Sequence, residues 1–178
     1  YVSGQDSQLG VGQNVKDLTK QLSDNHVHQA SGVRWNTASA TVYIDTQDET
    51  FRSAYQEAIR AWNQTGAFTF QIVNDKNKAN IVATEMNDGT VSAAGEAESQ
   101  TNLLTKRFTN VTVRLNRYYL LNIQYGYSYE RIVNTAEHEL GHAIGLEHNE
   151  EKSVMQSSGS FYGIQAVDVQ AVKELYQA

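Results

Sequence analysis

The eleven residues His138-Glu139-Leu140-Gly141-His142-Ala143-Ile144-Gly145-Leu146-Glu147-His148 constrain this chain more than any other stretch. On a helix, side chains four residues apart lie on one face, about one turn from each other. His138 and His142 therefore point the same way and can share one metal ion. Glu139, offset by one residue, flanks that ion without occupying it. Two imidazole ligands with a carboxylate general base beside them form the H-E-x-x-H donor set of zinc chemistry. Gly145 comes three positions after His142, and glycine reaches the left-handed backbone that ends helices without a Cβ penalty. The chain can then turn sharply and return His148 to the same ion. Three neutral nitrogen ligands leave one tetrahedral position for water, as a catalytic zinc requires.

The chain has only 5 His and 12 Gly among its 178 residues, so composition alone does not generate this spacing. The bland alternative is a buried helix with core histidines. Three imidazoles and an acid on one side make a poor core unless something compensates their burial. The stretch resembles the H-E-x-x-H-x-x-G-x-x-H signature of the metzincin metallopeptidases. That clan also carries a methionine in a tight turn beneath the zinc, the Met-turn. Met155 follows His148 within Ser153-Val154-Met155-Gln156, a short interval similar to the matrixin (matrix-metalloprotease-like) branch. The resemblance runs from about Arg34 to Tyr176. It implies an α+β fold: a twisted mixed sheet with an antiparallel edge strand, a backing helix, an active-site helix, a Met-turn and a C-terminal helix. It also implies one zinc ion, a protein or peptide substrate, and a secreted enzyme working in or near extracellular matrix.

Net charge of -6 and a pI near 5.3 disfavour nucleic acid and anionic membranes as partners, since both call for a basic face. No run approaches the ~18 apolar residues of a membrane span. The chain has no cysteine, which excludes disulfides and a cysteine-based latency switch but fixes no compartment. The length suits one domain with a real core, expected to be a monomer. A start at Tyr1 leads us to expect a processed chain whose leader is gone.

In chain order, residues 1–10 read as a polar arm, and Val11, Val15, Leu18 and Leu22 recur at helical spacing. Matrixin-like catalytic domains begin near a first Trp-containing strand, here Val33-Arg34-Trp35. We therefore divide the chain into residues 1–32, an N-terminal extension or pro-segment remnant, and residues 33–178, the catalytic domain. Within the latter, an upper subdomain runs to about residue 145 and a lower one covers 146–178. His26 and His28 alternate, so they share a face on an extended chain. They suggest a second metal site, a latency segment reaching the zinc through Asp24, or simply a solvated linker.

Thr41–Asp45 reads as a strand. A helix follows, capped by Thr50 or by Thr46 with Glu49. Its apolar stripe is Phe51, Ala54, Tyr55, Ala58, Ile59 and Trp62, and Gly66 breaks it. Strands at Phe68–Val73 and Asn80–Thr84 flank a turn at residues 74–78. In the family, the region after Asn87-Asp88-Gly89 holds the edge strand that binds substrate backbone by strand addition. Ser92–Ala97 is the expected edge, with Ala93, Ala94 and Gly95 as candidate substrate contacts; an exposed loop is the other reading. Val111–Leu115 reads as a central strand, and the active-site helix starts near Ser128. Ile132, Val133, Ala136, Leu140, Ala143 and Ile144 make its apolar side.

After Met155, residues 156–163 should wall the pocket for the residue that follows the cleaved bond. Matrix metalloproteases carry Pro and Tyr in this wall; Ser157 and Gly159 stand at the matching positions. The astacin-type tyrosine two residues past the Met is also missing. Ser157 and Tyr162 are candidate substrate contacts, although a surface or core aromatic is the favoured reading of Tyr162. Ile164–Tyr176 is the closing helix, with Ile164, Val167, Ala171, Val172 and Leu175 inward. Asp168 matches a family aspartate expected to hydrogen-bond the Met-turn. The loop before the edge strand has no histidine, so no structural zinc is expected there. Calcium prefers several oxygen ligands and finds no support beyond Asp88 and its neighbouring carbonyls.

The expected reaction is hydrolysis of peptide bonds within proteins. His138, His142 and His148 hold zinc, Glu139 is the general base, and Met155 is a soft floor under the ion. Ligating histidines must be neutral, so activity should collapse in acid. Two alternatives stay open: a catalytically silent zinc-binding interaction module, and a latent form covered by residues 1–30.

Overall fold

The computed structural model describes residues 23–26 and 32–177. The helix expected over residues 11–22 and the pairing of His26 with His28 fall outside what is described.

Among the described residues, six strands form one sheet in the order β1-β5-β6-β4-β2-β3. They are β1 (Ser23–His26), β2 (Ser39–Ile44), β3 (Thr69–Ile72), β4 (Ile81–Met86), β5 (Ala93–Asn102) and β6 (Arg107–Asn116). β2 pairs in parallel with β3 and β4, and β4 with β6; β5 runs antiparallel to β6. Without β1, the antiparallel β5 would be the edge. β1 adds to it in parallel, with Asp24 opposite Gly95, Asn25 opposite Glu96 and His26 opposite Ala97. The expected strand at Val33–Trp35 reduces to a single bridge between Arg34 and Arg107. Trp35 is held instead by its ring, which packs against Phe108 and donates Nε1–H to Ala143 O at 2.7 Å.

Helix α1 (Glu49–Gln64) buries the six residues of its apolar stripe. Its cap is Asp48, whose side chain accepts from Phe51 N at 3.1 Å. Thr46 caps nothing itself: its hydroxyl accepts from Asp48 N and bonds Glu85. The expected capping by Thr50 or by Thr46 with Glu49 is thus corrected: the cap lies two residues from either threonine, at Asp48. A short helix α2 (Arg117–Leu120) leads to α3 (Tyr129–Ile144), which starts at Ser128 as its N-cap. Trp62 donates Nε1–H to Glu137 O at 3.0 Å, tying α1 to α3 across the core. Both helices pack on the sheet, in one continuous core that includes Val42, Ile81, Val113, Leu140 and Ile144.

The last helix, α4 (Ala166–Leu175), buries only Asp168 and Val172. Val167, expected inward, is exposed. The inward position is taken by a carboxylate, because Asp168 has hydrogen-bond partners there that an apolar side chain could not satisfy. Among the described residues no helix is long and apolar enough to cross a membrane.

Candidate metal centre

Three elements bring the histidines together. His138 and His142 sit on the last turns of α3 and are 7% and 2% exposed. Gly145 ends the helix at φ 124°, a conformation an L side chain resists. A Cβ there would also lie 2.6 Å from Val33 O. Past it, Asn149 N bonds Met155 O at 3.0 Å and turns exposed His148 back over the helix. Ring centroids of the three imidazoles lie 4.9–5.2 Å apart. One ligand nitrogen from each lies within 4.8 Å of the others.

The tautomers of the two helical histidines follow from their partners. His138 Nδ1 is 2.7 Å from Val154 O, and His142 Nδ1 is 2.8 Å from Leu146 O. A carbonyl only accepts, so each Nδ1 carries the proton. The lone pair is then on Nε2, the state a neutral imidazole ligand needs, held in orientation by its outer partner. This donor set fits zinc, which favours nitrogen ligands and tolerates an open fourth position.

Glu139 is fully buried, against β5. A Cβ on Gly95 would meet Glu139 Oε2 at 2.5 Å, so the bare backbone at Gly95 makes room for that carboxylate. Met155 is buried with its sulfur against Gly141, where any larger residue would collide with it. The turn carrying Met155 is fastened by Asp168. Its carboxylate accepts from Val154 N and Gln165 N, each at 2.9 Å, and from the Ser153 hydroxyl.

A narrow pocket opens beside His138 and Glu139, walled by Ala94, Gly95, Thr135 and residues 156–160. Ala94, Gly95 and Ser157 from the expected substrate contacts therefore line it. Ala93 does not: it is buried, with its carbonyl accepting from Asn116 Nδ2 at 2.9 Å. Tyr162 lies apart from it, its ring 5.9 Å from Lys152 Nζ. Sequence reasoning missed Thr135 and the supporting Arg131, although both precede His138 by helical intervals, three and seven residues, that share its face.

The comparisons agree with this arrangement. No curated protein matches the chain. Among solved structures, the crystal structure of myroilysin superposes with a TM-score of 0.60 at 14% identity, covering 89% of this chain and 92% of that one. That likeness concerns the fold, an α+β mixed sheet with an antiparallel strand beside the site. The model of the matrixin peptidases matches residues 27–177, and with three clustered histidines in place the chain belongs to the matrixin family of zinc metalloproteases.

Proposed function

We propose that this chain is an endopeptidase, cutting peptide bonds within proteins, with His138, His142 and His148 holding zinc and Glu139 as general base. The observation that carries the proposal is the meeting of three histidine nitrogens within 4.8 Å, next to a buried Glu139. When bound, the ion supplies Lewis acidity, lowering the pKa of a water toward about 7 and polarising a carbonyl. The chain does the rest. Val154 O and Leu146 O hold two ligands in the required tautomer. A substrate strand laid along β5 brings its scissile carbonyl over Glu139. That carboxylate takes the proton of the attacking water and delivers it to the departing amine. A silent zinc-holding module would have no use for Glu139, which favours the enzyme. We include release from the cell in the proposal, to be checked by assaying culture medium.

Digestion of casein with and without chelator, by wild type and Glu139→Ala, tests this reading. Glu139→Ala should keep its zinc and lose about 10²–10⁴-fold in rate; undiminished cleavage would refute the base assignment.

One observation favours a second reading, a latent form. β1 occupies the β5 edge that a substrate strand would take, and it does so opposite Gly95. Removing residues 1–31 should then raise the rate on casein. An unchanged rate would dismiss latency and leave the peptidase reading intact.

A further inference from the structure

The pocket beside His138 is closed at its back by interactions that nothing in the metal centre needs. The centre of a water-sized sphere can move within only about 10 Å³ of it, room for about one water. The Thr135 and Ser160 hydroxyls share a hydrogen bond of 2.7 Å across the back wall. Asn134 Nδ2 donates to Ser160 O at 3.0 Å, holding the same residue by its backbone. Ser160 keeps a left-handed backbone, φ 54°, which fixes where its side chain enters. Behind the adjoining Gly159, the Arg131 guanidinium donates from Nε at 3.0 Å, and again from Nη2, to Gly159 O. That guanidinium is itself clamped between two rings, 4.3 Å from the Tyr127 centroid and 4.5 Å from that of Phe161. A flat cation between two aromatic faces is a rigid support.

Resting on the endopeptidase reading, we propose that Thr135, Ser160 and Arg131 make this pocket a selector for small side chains. A substrate strand along β5 with its carbonyl beside Glu139 presents its next side chain to the pocket. Gly, Ala or Ser fits within a methyl-sized hole. A Leu or Phe enters only if the Thr135–Ser160 bond and the Gly159 anchor give way together. The specified substrates are therefore proteins and peptides with a small residue directly after the cleaved bond.

The test uses the full zinc-loaded chain and quenched-fluorescence peptides differing only at that position: Gly, Ala, Val, Leu or Phe. Wild type should cleave the Ala peptide with kcat/KM at least about tenfold above Leu and Phe, since a side chain that does not fit costs that much or more. Two separate variants, Thr135→Ala combined with Ser160→Gly, and Arg131→Leu, should each raise the Leu-to-Ala ratio about tenfold. The ratio is internal to each preparation, so partial misfolding does not mimic it, and zinc content reports the metal centre independently. Equal cleavage of Ala and Leu by wild type, or ratios unmoved in both variants, overturns the selector alone. No zinc-dependent cleavage of any peptide, either by the full chain or by the chain lacking residues 1–31, overturns the endopeptidase reading and the selector with it.

Discussion

Glu137 immediately precedes the first histidine of the centre, yet its carboxylate faces Gly163 and accepts from the Ile164 backbone. It is only 7% exposed, and burial raises its pKa to about 7 from the usual carboxylate range. In acid, folded and unfolded chains both carry this proton. Above the ordinary carboxylate pKa the unfolded chain releases it while the folded one keeps it, so stability falls as pH climbs toward about 7. Glu137→Gln keeps an acceptor for Ile164 and removes the titration. Urea unfolding should show the variant more stable than wild type at pH 8, by on the order of 1–3 kcal/mol, and nearly equal to it at pH 4. Residues of this kind are the least legible in a sequence. Nothing in the string Ala136-Glu137-His138 says that Glu137 turns in toward Gly163 and is buried there. His138, His142 and Gly145 were legible because helical spacing and glycine's backbone range are local properties. Arg131 and Thr135 were not, because their partners, residues 159–161, arrive from beyond the Met-turn.

Elements with a buried stripe were the easiest to place. The stripe of α1, from Phe51 to Trp62, is buried as its spacing dictates. The strands around Val42, Ile81 and Val113 fall where β-branched residues concentrate. β1 was illegible because Ser23-Asp24-Asn25-His26 has no hydrophobic alternation, and its pairing with β5 is backbone to backbone. α4 illustrates the opposite difficulty. Its apolar residues suggested an inward face, but the helix is positioned by Asp168, which bonds two backbone amides and a hydroxyl. Asp168→Ala would leave those buried donors without an acceptor, at about 1–3 kcal/mol each for the backbone groups. We expect thermal melting to drop by several degrees and zinc to be lost at lower chelator concentration, because the Met-turn also holds His138 through Val154. Melting unchanged in the zinc-free protein would show that the carboxylate does not carry the turn.

At the scale of the whole molecule, two distant segments meet at the C-terminal end of α3. Trp35 donates to Ala143 O, and the Tyr176 hydroxyl donates to Ile144 O at 2.6 Å while accepting from Trp35 N at 3.1 Å. The last carbonyls of a helix have no partner within it, so these bonds supply what α3 lacks. Tyr176→Phe should cost about 1–3 kcal/mol in urea unfolding, because it strips two backbone groups of a partner. Fraying at Trp35 or at Tyr176 should be felt at His142 and the Gly145 bend, which adjoin the two carbonyls those residues hold. Ageing or nicked protein should therefore release its metal before its spectroscopic fold is lost, and a colorimetric zinc-release assay would serve as the earliest gauge of damage at either extremity.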